Sequence, residues 1–508
     1  MGELEVGLTK AVSEKGFLDV LAEFEQQHDV ASLRYNGTQY WPLLRMMLGF
    51  ENDPLVPPSQ SKARFRDRLK KYGNALGSLF EDFIDPRHNL ERDAPCDVYY
   101  LTHSTCRNLK IKGAYFDAFF SPLRHWCKEA REPVDFHGEE FVPDAEYRTP
   151  RSEKTAYIQK HLTAISLASG SRAKSLVLDE HDLALIDTLK REIQAQGFST
   201  SSIGLPAIKK ALAQLDLHKE RFCRVLKAKQ PRLVVVVTYY NLLGFALMAA
   251  ANELGIRTID LQHGVQGAGH FAYGTWGHVP RGGWDLLPRL FWNWTQEDVA
   301  NIGTWGGEAH RGILGGRIFS QYLSEVDIEF AEYHNLTQRI RQSGCKQVVL
   351  VTLQPIDSAD FIDELRNAMQ DPAFTSVFWL YRLHPAMMDK QGTYAHLLEN
   401  ERSDLALCSN LPLDYVIKLA DLHVTLNSSV TIEAALEGIP TLLAHNCSYY
   451  MEWQERGIAR RIQEGQSWSD AILQLLNSGS RFSRTQERPS ASKLILELSS
   501  CSHPAPNI

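Results

Sequence analysis

The stretch Leu233–Val237 reads LVVVV, five apolar residues in succession, four of them β-branched. A strand with one buried face would alternate polar and apolar side chains. A short unbroken run is instead a strand covered on both faces, which requires a sheet flanked by helices on each side. The residues that follow agree. NLLGFALMAAANELG, ending at Gly255, reads as a helix, and IRTIDLQHG (Ile256–Gly264) returns as a strand. Strand, helix, strand is the pattern of a parallel α/β sheet.

The pattern recurs on both sides of a Gly- and Trp-rich stretch, Gly264–Gly316. Upstream, Asp97–Ser104 reads as a strand, Phe116–Ala130 as a helix, Pro133–Phe136 as a short strand and 150–230 as a helical region. Downstream, Lys346–Pro355 and Ser376–Pro385 read as strands around a helix at Ser358–Met369. DLALCS, DLHVTLNSS and IPTLLAH follow as strands separated by the helices LPLDYVIKLA and VTIEAALEG. The fold class expected is α/β, with two Rossmann-like parallel-sheet domains facing a cleft and an N-terminal helical extension. The expected boundaries are 1–95 for the extension, 96–275 for the first domain, 276–314 for a connection, 315–478 for the second domain and 479–508 for a tail.

Composition narrows the function. With 54 Lys+Arg against 61 Asp+Glu, the net charge of −7 argues against a dedicated nucleic-acid binder. The eight cysteines are scattered without a CxxC pair, which fits reduced thiols in a cytoplasm and offers no zinc signature. The N-terminus lacks the apolar core of a signal peptide, and no apolar run approaches the roughly 18 residues of a membrane span. The basic stretch Lys62–Lys71 (KARFRDRLKK) reads as a solvated helix face, with attraction to an anionic membrane surface as the alternative. The expected location is therefore cytoplasmic, with peripheral contact at the inner membrane left open.

Ligands of open parallel sheets bind beyond the carboxyl ends of the strands. Three polar clusters fall at such ends. Arg382 and His384 close one strand and can bind phosphate oxygens, and Pro385 stops that strand. Asn427, Ser428 and Ser429 end another and open a helix, where small hydroxyls and backbone N–H groups suit an anion or simply cap the helix. Glu433, one turn on, can accept hydrogen bonds from ribose hydroxyls. The third cluster is Gln262, His263 and Gly264; a histidine there can act as a general acid/base or bind phosphate.

The order of these pieces resembles the GT-B glycosyltransferases. It runs from a strand ending in LQHG through GILGGRIFSQYL to VVLVTLQP, RLHP and the block DYVIKLADLHVTLNSSVTIEAALEGIP. Within that group it is similar to bacterial enzymes of capsule, lipopolysaccharide and teichoic-acid assembly: the CMP-Kdo transferases, the CMP-sialic acid transferases with HP and Ser-Ser motifs, and the CDP-glycerol glycerophosphotransferases. The resemblance covers about Asp97–Trp453 and is densest over Val348–Leu443. It implies that His384, Ser428 and Ser429 hold the donor phosphates, that Glu433 holds the ribose and that Gln354 lines the donor side. It also implies that His263 faces the donor from the acceptor-side domain. The acidic-acidic-Gly motif of the sialyltransferases is missing; Gly138-Glu139-Glu140 carries its letters in another order, which leaves the base and the sugar open.

The activity expected is transfer of a sugar from a nucleotide-activated donor, best a cytidine-activated one such as CMP-Kdo, to a growing bacterial surface glycan. The partners are that donor and a glycan or lipid-linked glycan acceptor, with no nucleic acid. The nucleotide-sugar is a substrate, so no cofactor is expected, and no metal. Asp179–Asp182 and Glu139-Glu140 read as solvated surface rather than metal ligands. His263 is the first candidate base, with Asp260, assigned to the same strand face, and Asp285 behind it; His103 is placed at the acceptor mouth. The alternatives are a nucleotide-sugar epimerase or hydrolase on the same fold, a CDP-polyol phosphotransferase, and a non-catalytic assembly subunit.

Overall fold

The computed structural model describes residues 16–53, 94–107, 109–130, 134–141, 150–153, 155–326, 328–355, 359–445, 448–463, 465–479 and 490–500. The basic stretch Lys62–Lys71 lies outside them.

Two parallel sheets organise the chain. The first has seven strands: β1 (Val98–His103), β2 (Phe136–Phe141), β3 (Ala156–Tyr157), β4 (Leu233–Val237), β5 (Arg257–Leu261), β6 (Leu290–Asn293) and β7 (Arg311–Leu314). Their order across the sheet is β7-β6-β5-β4-β1-β2-β3, every pairing parallel. The second has six: β8 (Gln347–Leu353), β9 (Val377–Leu383), β10 (Ser403–Asp404), β11 (Leu422–Thr425), β12 (Thr441–Leu443) and β13 (Ala459–Arg461). Its order is β10-β9-β8-β11-β12-β13, again all parallel. Both are doubly wound sheets. Their strand order reverses between β1 and β4 and between β8 and β11, where such sheets open a crevice. Two Rossmann-like domains facing a cleft, the GT-B-like arrangement, follow from this topology.

Every residue of β4 is buried, as its sequence demands. Its cover on one side includes helix α1 (Phe17–Gln27) and helix α2 (Trp41–Asn52), whose Leu21, Phe24, Trp41 and Leu44 join Val234 and Val236 in one core. The N-terminal helices are thus part of the first domain's core rather than an appendage. A buried Arg45 anchors them: Nη1 donates to Glu25 Oε1 at 2.6 Å, and Nη2 to the Thr275 carbonyl at 2.7 Å.

Two boundaries need correction. The stretch 276–314 is not a connection, because β6 and β7 lie within it and extend the first sheet. Its many Gly and Trp residues mask two strands of four residues each. Residues 479–508 are not simply a tail either. Helix α3 (Ala491–Ser500) packs on the first domain, where Ile495 is fully buried beside Leu123 and Leu290. Arg257 Nη1 holds its Leu498 carbonyl at 3.0 Å. The chain therefore crosses back after completing the second sheet.

Of the two acidic runs, Asp179–His181 is exposed as expected, but Glu139-Glu140 is not solvated and Asp182 is buried. Glu139 and Glu140 are fully buried. Glu139 receives a two-pronged pair from Arg221 at 2.7 and 2.8 Å, and Glu140 is held by Arg107 at 3.2 Å and Arg151 at 2.6 Å. A carboxylate in a sheet interior needs such cations to offset its desolvation. In the other run, Asp182 is buried and accepts from Tyr40 OH at 2.7 Å, while Asp179 caps a helix through the Asp182 amide at 2.8 Å. Asp179, His181 and Asp182 stand close enough to one another to hold an ion, while one oxygen of each carboxylate accepts one of these hydrogen bonds.

Candidate active site in the interdomain cleft

A cavity of about 520 Å³ lies between the two domains. Gln262, His263, Trp294 and Arg317 line it from the first domain, and Arg382, Pro385, Asp414 and Glu433 from the second. Tyr115, Phe119 and Phe319 give the first-domain side an aromatic wall.

Glu433 is the most unusual group here. It sits in helix α4 (Val430–Leu436), 8% exposed, and its Oε2 has no hydrogen-bond partner. Burial pushes its pKa up to about 7, opposed by the positive charges of Arg317 and Arg382 and reinforced by Asp414. A buried carboxyl oxygen without a donor is expensive and calls for an explanation. Two guanidinium groups beside it make the pocket suited to a ligand that carries both hydroxyls and negative charge.

Arg382 is fixed by its neighbours. Nη1 donates to the Cys408 and Leu411 carbonyls at 2.6 and 2.7 Å, pinning the loop that forms the cavity floor. Arg317 Nη1 reaches across to Asp414 Oδ1 at 2.9 Å, and its guanidinium lies 5.6 Å from the centre of the Trp294 ring. Arg317, Asp414 and Trp294 were not picked out by the sequence reading. A signal existed: Trp294 and Arg317 each follow the end of a parallel strand, β6 and β7. Those strands were hidden in the Gly- and Trp-rich stretch.

His263 lines the cavity from the end of β5. Its Nε2 is 3.1 Å from Thr238 Oγ1 and 3.2 Å from Tyr240 OH, and its ring stacks on Tyr240. Burial, with His103 nearby, lowers its pKa to about 4, so the ring is neutral at pH 7. Gln262 shapes the same loop: its Nε2 donates to the Gly264 carbonyl at 2.9 Å, and its Oε1 accepts from the Trp294 amide at 2.6 Å. Gly264 faces the second domain, where a Cβ would stand 3.6 Å from Ser429 Cβ.

The remaining predicted residues are placed as follows. His384, exposed, and the trio Asn427, Ser428 and Ser429 follow the carboxyl ends of β9 and β11, which are the same end of one parallel sheet. Gln354 follows β8 at that end as well. None of these five lines the cavity, although Pro385 does. Ser428 Oγ accepts from the Val430 amide at 3.3 Å, while Ser429 makes no capping bond and faces Gly264. His103 ends β1, bonded to the Thr105 hydroxyl and 3.5 Å from Cys106 Sγ.

The acidic candidates Asp260 and Asp285 do not line the cavity either, nor does His103. Asp260 is three residues from His263, so strand alternation puts it on the opposite face, not the same one. It is fully buried, accepts from the Tyr239 amide at 3.0 Å and from Tyr273 OH at 2.7 Å, and braces the turn after β4. Asp285 accepts from the Gln39 amide at 2.9 Å and holds the N-terminal region.

No protein-family model and no curated protein matches the sequence. Among solved structures, the chain is similar to a UDP-N-acetylglucosamine 2-epimerase described as putative, from Listeria monocytogenes, at 14% identity and a TM-score of 0.48. That match covers 80% of this chain and 95% of the other. It is similar to the S. aureus MnaA–UDP co-structure at 12% identity and a TM-score of 0.47, covering 79% and 95%. It is also similar to the glycotransferase of kitacinnamycin at 12% identity and a TM-score of 0.40, covering 80% and 94%.

Proposed function

We propose that this chain is a nucleotide-sugar enzyme, and specifically a metal-independent glycosyltransferase using a cytidine-activated donor such as CMP-Kdo. The acceptor is a glycan or lipid-linked glycan of the bacterial surface. The observation that carries the reading is the buried, unpartnered Glu433 oxygen in the interdomain cavity, beside Arg317 and Arg382. The ribose hydroxyls of a nucleotide would satisfy Glu433, and the two arginines would balance the charge that grows on the leaving phosphate. His263 would act on the acceptor from the opposite wall. Closure of two domains over one cavity excludes water, which protects a glycosyl donor from hydrolysis. The reaction would run in the cytoplasm; no described helix is long and apolar enough to cross a membrane.

A second reading, a nucleotide-sugar epimerase or hydrolase, draws on the same walls, since His263 and Glu433 face one cavity and could exchange protons with a bound sugar. A CDP-polyol phosphotransferase would use the cations alike. Incubation with CMP-, CDP- and UDP-activated donors, each alone and with glycan acceptors, separates them. The proposal expects a cytidine donor to be consumed only when acceptor is present. Rapid consumption of a UDP-sugar alone would replace it with the second reading.

A further inference from the structure

Thr238 immediately follows β4, at the point where the strand order of the first sheet reverses. Its φ is +70°. A β-branched residue in the left-handed region is a steric outlier, held only where the surroundings over-determine it. Those surroundings are specific. Asp260, fully buried, receives backbone hydrogen bonds from Thr238 and Tyr239. Asn241 Nδ2 donates to the Thr238 carbonyl at 2.6 Å, while Asn241 Oδ1 accepts from the Gly244 amide at 2.9 Å. The turn is tight: a Cβ on Gly244 would fall 2.3 Å from the Tyr239 carbonyl oxygen. Thus a carboxylate, an amide side chain and a close helix start all act on one strained residue. What the strained backbone delivers is the Thr238 hydroxyl, 3.1 Å from His263 Nε2.

We infer that Thr238 is a positioning residue for His263. Its hydroxyl, with that of Tyr240, occupies Nε2 and so fixes the orientation and tautomer of the ring that lines the cavity. Nδ1 is buried and makes no hydrogen bond, and the Leu261 backbone is a further polar neighbour of the ring. A ring nitrogen's role is set by the bond its partner nitrogen makes, so the hydroxyl at Nε2 governs what Nδ1 can do. Asp260 then acts one step further back, through the amides it holds. This inference rests on the proposed role of His263 and adds the residue that orients it.

The test uses the full chain labelled with ¹⁵N-histidine, the His263 signals being assigned by their loss in His263→Ala. Thr238→Val keeps the branched shape and removes the hydroxyl. It should shift the His263 ring nitrogen resonances, lower turnover of the consumed donor about 10- to 100-fold and leave the melting temperature near that of the wild type. Thr238→Ser should restore resonances and turnover. Thr238→Gly relieves the left-handed strain, so it should melt no lower than Thr238→Val while being equally slow. Unmoved ring resonances in Thr238→Val overturn the inference, as does full turnover in Thr238→Val when His263→Ala is slow. Full turnover in His263→Ala instead overturns the catalytic role of His263, and the ring resonances still decide the Thr238 contact.

Discussion

Arg317 Nη1 and Asp414 Oδ1 stand 2.9 Å apart and join the two domains across the cleft. Arg317 leads from β7 of the first sheet into the helix Ile318–Glu325, and Asp414 lies two residues after Pro412 in the second domain. Both line the cavity and both act on the charge of Glu433, Arg317 favouring the carboxylate and Asp414 opposing it. A phosphate entering the cavity would meet Arg317 as a partner and Asp414 as a like charge.

Opposite substitutions should therefore have opposite effects. Arg317→Met removes a charged hydrogen bond worth about 1.5–3 kcal/mol, so affinity for CMP or UDP should fall about tenfold or more. Asp414→Asn should leave that affinity unchanged or raise it. Isothermal titration of both variants checks the pair of signs, and a comparable loss in each would remove Arg317 as a phosphate partner.

Glu433 and Asp260 make stability depend on pH. Burial pushes each up to about 7, above their usual values of about 4.3 and 3.9. At these two sites the folded protein holds more protons than the unfolded chain between roughly pH 4 and 7, so their contribution to stability falls as pH rises through that window, while buried histidines with lowered pKa, His263 among them, act in the opposite direction. Glu433→Gln removes one of the two groups. Its melting temperature should decline less than the wild type's from pH 5 to pH 8, and equal declines would contradict the buried carboxyl.

His263→Ala should lower kcat about 10²–10⁴-fold, the range for a positioned acid/base, and change nucleotide binding little. Rates, melting curves and nucleotide titrations on the same preparation separate this from a structural loss, in which all three decline together.

The β-α-β pattern was legible because the buried strands are unbroken apolar runs: LVVVV at β4 and VVLV within β8 announce themselves. Strands β6 and β7 were not, because four residues among glycines and tryptophans carry no periodicity. The site was legible in part for the same reason. His263, Arg382 and Glu433 follow or adjoin recognisable strands and do reach one cavity. Arg317 and Trp294 depended on the hidden strands. Glu139 was misread as surface because its cation, Arg221, is 82 residues away in sequence. Only the fold brings that pair together.

That pair is a test of structure rather than chemistry. Arg221→Ala would strand a fully buried carboxylate, and removing one member of such a pair costs about 3–5 kcal/mol. Ile495→Ala, in the C-terminal helix that returns to the first domain, should cost about 2–5 kcal/mol. Denaturant unfolding reads both. A loss within about 0.5 kcal/mol for Ile495→Ala, the range of a surface substitution, would mean that this helix does not share the first domain's core.

The proposed function requires Glu433 to hold the ribose of a nucleotide in the interdomain cavity. Its most direct measurement is calorimetric titration of the wild type and Glu433→Gln with CMP, CDP and UDP, each beside its 2′,3′-dideoxy counterpart. A pyrimidine nucleotide should bind the wild type, its dideoxy form should bind about tenfold or more weakly, and Glu433→Gln should no longer distinguish the two. Absence of nucleotide binding to the wild type, or the same discrimination in both proteins, would contradict it.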